Sequence, residues 1–412
     1  MPHTKDRTVR EPWRSLPVAA RPVRGRRLPP AVAFYVFASI AVSFLAASSA
    51  PTPLYALYQE HWGFTPITTT VVFAVYAVAV LAGLLTLGKV SDHVGRRPVL
   101  LAALVGQIAS MTIFTTATGV SALVAARVVQ GLATGGALGT IGAAMLDLDR
   151  PRGTVANTIV PGTGTAVGAL ASALVVQYLP APTHLIYLAL LVLFVLQGVG
   201  VALARETASR APGALSTLVP EIRLPRQVRH AALAASPVLF AVWALAGFYG
   251  SLAPALTRAL TGSSSVVLGG SGLFVFAGAG VVAVVLLRGT APGTVMTIGV
   301  VSLVAGVAVT LGSLSLGSPL LFLLGSMVAG AGFGSGFQGG VRTVMPLTEP
   351  RDSSAVLSFL YVVSYLGMGV PTVIAGFLVV HAGGLFTTAR EYAVAVLALA
   401  LFSLLARGFH RR

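Results

Sequence analysis

Long apolar stretches separated by short charged turns run the length of the chain. Ignoring histidine, the charge-free runs cover 28–59, 61–88, 98–126, 128–146, 153–204, 230–257, 259–287, 289–341, 353–389 and 392–406. A helix that crosses a bilayer needs ~20 apolar residues. The runs 153–204 and 289–341 are each long enough for two, divided at Pro180–Thr183 and Gly312–Pro319 where small and turn-forming residues gather. The pattern predicts twelve helices, over 32–50, 68–88, 99–117, 121–147, 154–178, 184–204, 233–256, 266–287, 294–313, 319–346, 354–380 and 388–406. The expected fold is an all-α polytopic membrane protein.

The twelve divide six and six about a link, 205–232, that holds five arginines and three prolines. The expected units are a tail 1–30, a bundle 31–204, the link, a second bundle 233–406 and a tail 407–412. At an offset of 199 residues Gly131 meets Gly330, Gly135 meets Gly334, Pro151 meets Pro350, Arg152 meets Arg351 and Gly168 meets Gly367. One offset thus carries the fourth helix, its turn and the fifth onto the tenth, its turn and the eleventh. Parallel six-helix repeats with a site between them at mid-membrane are a design of secondary transporters.

Composition agrees with a lipid setting. Hydrophobic residues make up 56% of the 412 and charged ones 9%, against ~25% in soluble domains. There are no cysteines, so thiol and disulfide chemistry are excluded. With both ends inside, inner segments carry 23 of the 27 lysines and arginines, and outer segments carry only Arg258 and Arg390. This positive-inside bias orients the chain with cytoplasmic termini and accounts for the net charge of +16 without a nucleic-acid partner. The Pro- and Arg-rich tail 1–30 reads as disordered and cytoplasmic. Arginine outnumbers lysine 25 to 2, the usage of a G+C-rich bacterial genome, so a bacterial inner membrane is the expected location.

The turn between the second and third helices reads GKVSDHVGRRPVL, residues 88–100. Gly88 permits close packing at a helix end, Gly95 suits a turn with positive φ, and Arg96 and Arg97 hold the turn at the inner face. Asp92 can cap a helix or pair with arginine. This stretch resembles the signature turn of the major facilitator superfamily, with Gly88, Asp92, Gly95, Arg96 and Arg97 in place. The resemblance implies two pseudo-symmetric six-helix bundles. It also implies that Asp92 acts as a conformational latch, with Asp147, Arg152 and the start of the eleventh helix at 352–355 as neighbours.

Further resemblances touch other helices. ARVVQGLATGG, 126–136, looks like the family's Arg-x-x-x-Gly motif, with Arg127, Gln130 and Gly131; the arginine is linked to proton transfer in related exporters. PGTGTAVGALASA, 161–173, keeps Gly164 and Gly168 at the spacing of close-packed helices but has Ala169 where those exporters carry proline. Gly135 and, in the other half, Gly367 and Pro371 join this helix-packing set.

Candidate cavity residues are the intramembrane charge Arg342 with Gln338 one turn away, Tyr361 and Tyr365 four apart, and Trp243 and Tyr249 on the seventh helix. No Asp or Glu lies mid-helix, so proton coupling would fall to Asp147, Asp92, His184 or His381. The seven histidines have no metal-ligand spacing and no Walker-type loop is present, so an enzyme, a metal or a cofactor is not expected. Three functions remain: a proton-coupled exporter of small amphipathic molecules, an importer or facilitator of a small organic anion, and a non-transporting membrane sensor or scaffold. A monomer is expected.

Overall fold

A computed structural model describes residues 27–409. The tail 1–26 and residues 410–412, which held most of the two expected tails, lie outside the described residues. Twelve helices among those described are long and apolar enough to cross a membrane. They are α1 Pro30–Ser49, α2 Pro66–Leu87, α3 Arg96–Thr115, α4 Val120–Leu148, α5 Arg150–Tyr178 and α6 Pro182–Leu203. The second six are α7 Arg226–Ser251, α8 Val266–Leu286, α9 Pro292–Leu316, α10 Pro319–Val344, α11 Ser353–His381 and α12 Gly384–Phe409.

The ends differ from expectation where helices leave lipid. The charge-free criterion starts α7 at 233, but the helix begins at Arg226, so 226–232 belong to α7 and not to the link. Val228 and Ala232 are buried there, while the charged residues face outward, a register that a search for uncharged runs cannot see. Likewise α5 starts at Arg150, where the Asp149 side chain caps it by accepting from the Arg152 amide. Residues 407–409 continue α12 rather than forming a tail. Several short helices went unpredicted; two of them, Tyr55–Trp62 after α1 and Ala253–Thr261 after α7, each follow the first long helix of their half. They occupy matching places in the two halves.

Leu28 N–H donates to the Leu203 carbonyl, which joins the start of α1 to the end of α6 at the same face as the turn 88–95. We call this face the motif end. Each half has its own apolar core. Phe37, Phe44, Leu104, Phe114 and Phe194 anchor the first, and Leu239, Leu245, Leu303, Phe322 and Leu360 anchor the second. A third cluster, Phe73, Tyr76, Ala77 and Val80 of α2 with Tyr365 and Met368 of α11, joins the halves.

Glycine sets how closely the helices approach. A Cβ on Gly131 would lie 2.8 Å from the Tyr76 carbonyl oxygen, and one on Gly135 would run into that of Val80, so both seat α4 on α2. Their repeat partners Gly330 and Gly334 seat α10 on α8, against the carbonyls of Phe276 and Gly280. Gly164 and Gly168 press α5 onto Val42 and Ala46 of α1, and Gly367 presses α11 onto Phe240 of α7. Pro371 lies inside α11, where its missing N–H interrupts the backbone ladder. Gly88 is different. A Cβ there would run first into the Leu84 carbonyl of its own turn, and the Gly88 carbonyl lies 3.6 Å from where a Cβ on Gly139 of α4 would sit, so the end of α2 is close to α4 at this point.

Alanine at Gly135 or Gly334 is expected to destabilise by about 1–3 kcal/mol through backbone overlap. Alanine at Gly198 or Gly278, where a Cβ meets open space, should stabilise by up to ~1 kcal/mol. Thermal unfolding in detergent reads the difference; four equal shifts would contradict this account of the packing.

Candidate functional site

Between the halves lies a cavity of about 970 Å³. Its wall takes Ser48 and Ser49 from α1, Phe73 and Tyr76 from α2, Asn157 and Thr158 from α5, and Trp243 from α7. Phe276 and Val281 of α8, Phe333, Phe337, Gln338 and Arg342 of α10, and Tyr361, Tyr365 and Met368 of α11 complete it. At the motif end its lining residues Thr154, Val155, Arg288 and Gly289 are exposed, so the cavity opens there.

The opposite end is shut. Thr52 Oγ1 donates to the Gly250 carbonyl across the two halves at 3.1 Å, and both residues are buried. Gly250 has no room for a side chain because the Phe73 ring occupies that space. Beyond this closure a second pocket of about 140 Å³, lined by Thr52, Pro53, Leu252 and Arg258, lies between the two short helices. Thr70 of α2 fills the place of a side chain at Gly376 of α11, which tightens the same end.

Aromatic rings dominate the middle of the cavity. Trp243 meets Phe333, Phe337 and Tyr365 with ring centroids 5.9, 5.6 and 4.9 Å away. The structure places Trp243, Gln338, Arg342, Tyr361 and Tyr365 on the wall. Tyr249 is not on it. It stacks behind Phe276 at 4.3 Å and donates to Ser326 Oγ at 2.7 Å, because the rotation of α7 turns this residue into its own bundle.

Arg127 and Gln130 also sit behind the wall rather than on it, and both are fully buried. The reason is the end of α1. The last carbonyls of a helix have no partner within it, and here side chains of α4 and α5 supply the donors. Arg127 donates to the Ser48 carbonyl at 2.8 Å and to Gln130 Oε1 at 2.7 Å, while Gln130 Nε2 donates to the Ala47 carbonyl at 3.0 Å. Ser172 Oγ takes the Ala50 carbonyl. Two N–H groups of Arg127 also donate to the Tyr55 hydroxyl, and the rings of Tyr55, Tyr76 and Phe114 lie 5.0–5.8 Å from its guanidinium carbon. Carbonyl dipoles at a helix C-terminus, a hydroxyl and ring faces thus carry the cation. Among the described residues Arg127 forms no ion pair.

The motif turn is held from an unexpected side. Gly95 has φ of 102°, and a Cβ there would collide with the Glu206 carboxylate. That carboxylate accepts from the amides of Arg96 at 2.7 Å and Arg97 at 3.1 Å, capping the start of α3. Arg96 pairs with Asp92 and reaches Asp147 at 3.4 Å, and Arg97 donates to the Ala202 carbonyl. Of the neighbours expected for Asp92, Asp147 joins through Arg96, whereas Arg152 pairs with Asp149 and Asp352 with Arg351. The link then crosses the turn. His93 donates from Nδ1 to the Pro212 carbonyl at 2.9 Å, the Ala211 amide donates to the His93 carbonyl, and Lys89 pairs with Glu221 at 2.7 Å.

A family model for the major facilitator superfamily matches residues 32–308, more than half of the chain. The chain belongs to the major facilitator superfamily. Two solved structures of the nucleoside transporter NupG share its fold. One is a point mutant, 13% identical with a TM-score of 0.69, covering 92% of this chain and 98% of that one. The other is 13% identical with a TM-score of 0.67, covering 91% of this chain and 98% of that one. No curated protein sequence matches. The chain is thus a multi-pass membrane transporter with the twelve-helix fold of this superfamily.

Sequence reasoning missed four features of the transporter's site. Phe333 and Phe337 read as ordinary apolar residues, Thr52 as a residue of an outer turn, and Arg288 as a topology marker. Glu206 was invisible because the amides it caps are 109–110 residues away in sequence. Of the titratable candidates, His184 bonds Thr183 and His381 stacks on Phe377, both at the closed end away from the cavity.

Removing the cap by Glu206→Ala should release the link and raise amide exchange over 205–224 on the order of tenfold. The hydrogen bond and charge of Lys89 hold the Glu221 carboxyl below its ordinary value of 4.5. That contact therefore favours docking above pH 4.5 and is lost as the pH falls through the lowered value. Exchange that ignores both Glu206 and acid would show that the link is not held by these groups.

Proposed function

We propose that this transporter exports small amphipathic molecules by alternating access, with protons moving the other way. The observation that carries the reading is a cavity of about 970 Å³ shared by both bundles, walled by aromatic rings and closed at one end by Thr52 and Gly250. An apolar chamber with few polar groups suits a molecule with a greasy body and a polar head. If the motif end faces the cytoplasm of a bacterial cell, as the basic turns require, this conformation is open inward.

Asp92, with Gly88, Gly95, Arg96 and Arg97, acts as the latch on that reading. In the inward-open form Asp92 holds Arg96 within its own turn. Closing the motif end brings the start of α11 toward it, and the Asp92–Arg96–Asp147 group then exchanges partners. On this reading the coupling falls to Asp92 or Asp147, since no Asp or Glu lies in the middle of a span. Arg127 and Gln130 position the gate by fixing the end of α1 that leads to Thr52. The unit is a monomer.

A second reading, an importer or facilitator of an organic anion, is favoured by Arg288 and Arg342 on the lining and by the lack of Asp and Glu there among the described residues.

Inside-out vesicles are expected to accumulate an amphipathic dye under an imposed proton gradient and to lose it when the gradient collapses. Asp92→Asn should slow turnover about tenfold with dye affinity unchanged, because a latch acts on the conformational step. Equal loss of affinity would remove Asp92 from the latch. Flux running only outward from such vesicles, independent of the proton gradient, would favour the second reading.

A further inference from the structure

Three residues that line this cavity each carry a buried polar atom with no hydrogen-bond partner among the described residues: Trp243 Nε1, Gln338 Oε1 and Arg342 Nη1. All three belong to the C-terminal bundle. Gln338 and Arg342 are one turn apart on α10, and Trp243 packs edge-on against Phe337 beside them. Buried polar groups are nearly always paired, and each exception calls for a cause. Trp243 is packed against the rings of Phe333, Phe337 and Tyr365. Arg342 is tethered by its other nitrogen, Nη2, to the Thr290 carbonyl at 2.9 Å, which fixes the guanidinium without neutralising it. It has no carboxylate within ion-pair distance among the described residues. Arg288, on the same turn as Thr290, adds a second positive charge at the mouth.

We infer that Trp243, Gln338 and Arg342 form the head-group subsite of the transporter, and that it takes an organic acid: a carboxylate or sulfonate on an aromatic or apolar body. The indole N–H and the arginine donate to the acidic oxygens, and the Gln338 amide takes a neighbouring polar group of the head. The body lies among Phe333, Phe337, Tyr361 and Tyr365, which line the space beside them. An organic cation finds one free acceptor, Gln338 Oε1, against the indole N–H and an uncompensated guanidinium, and is disfavoured there. Recognition of the head belongs to α7 and α10, whereas the motif turn and the capped end of α1 belong to the other bundle. The inference rests on the reading of this cavity as the substrate path, and it holds for either direction of transport.

The chain has no cysteine, so one placed at Thr158, on the opposite wall, reports the cavity alone. Its labelling rates with a sulfonatoethyl and a trimethylammonium-ethyl methanethiosulfonate of similar size, each divided by that reagent's rate with a small free thiol in solution, give the sign of the local potential, and the rates below are these normalised ones. The anionic reagent should react faster, and Arg342→Gln should cut that preference about tenfold. Arg342→Lys, which keeps the charge and guards against a misfolded variant, should retain it. Arg288→Gln, at a solvated mouth, should change it less.

Binding of 2-naphthoate, 2-naphthamide and 2-naphthylmethylamine to the purified protein then tests the head. The acid is expected to bind about tenfold tighter than the amide, and Arg342→Gln to remove only that advantage. Faster cationic labelling, or a preference untouched by Arg342→Gln, would overturn the acid subsite while leaving the cavity reading in place. No labelling by either reagent would overturn the cavity reading itself.

Discussion

A bilayer offers no water to a backbone carbonyl, and this single constraint organises the N-terminal bundle. The first helix ends inside the protein, not at a surface, and its last carbonyls must find donors there. Arg127, Gln130 and Ser172 supply them. The cost of a buried guanidinium, ~2.5–3.5 kcal/mol on an insertion scale, is offset because the same side chain satisfies groups that would otherwise be orphaned. That anchored end leads directly to Thr52, whose hydroxyl closes the cavity against Gly250. The intramembrane arginine therefore fixes the end of α1 from which Thr52 extends.

The two bundles share one packing scheme and divide the work. Gly131 and Gly135 in one half, and Gly330 and Gly334 in the other, bring backbones together at equivalent crossings. Rigid bundles of this kind can rock as units, because closely packed helices transmit movement without deforming. Onto this common frame the first half adds the charged turn and the link that caps it through Glu206. The second adds the cluster of Trp243, Gln338 and Arg342 on the cavity wall. The asymmetry was already present in sequence, since the positions 199 beyond Asp92 and Gly95 are Ala291 and Thr294.

Much of this was legible before any coordinates. Hydrophobic runs located all twelve spans because a bilayer enforces length and apolarity on each. The same criterion failed where α5 and α7 extend past lipid, with charges on one side and Val228 or Ala232 on the other. Residue type found Trp243, Gln338, Arg342, Tyr361 and Tyr365, since polar and aromatic groups on an apolar helix stand out. It could not tell them from Tyr249, Arg127 and Gln130, which face the interior of a bundle, because helix rotation is fixed by glycine contacts and not by periodicity. The cap from Glu206 joins residues far apart in the chain and leaves no local trace.

The central claim is that two rigid bundles pivot about one cavity, so that the end now closed opens only as the other shuts. Spin labels on paired cysteines test it directly in a chain that has none of its own. One pair, at Glu60 and Ser264, spans the closed end; another, at Arg150 and Gly289, spans the motif end; all four residues are exposed. The account predicts two populations whose distances change in opposite senses, the first pair lengthening as the second shortens when substrate or a proton gradient shifts the balance. Distances that stay single and fixed at both ends under every condition, or that lengthen together, would contradict it.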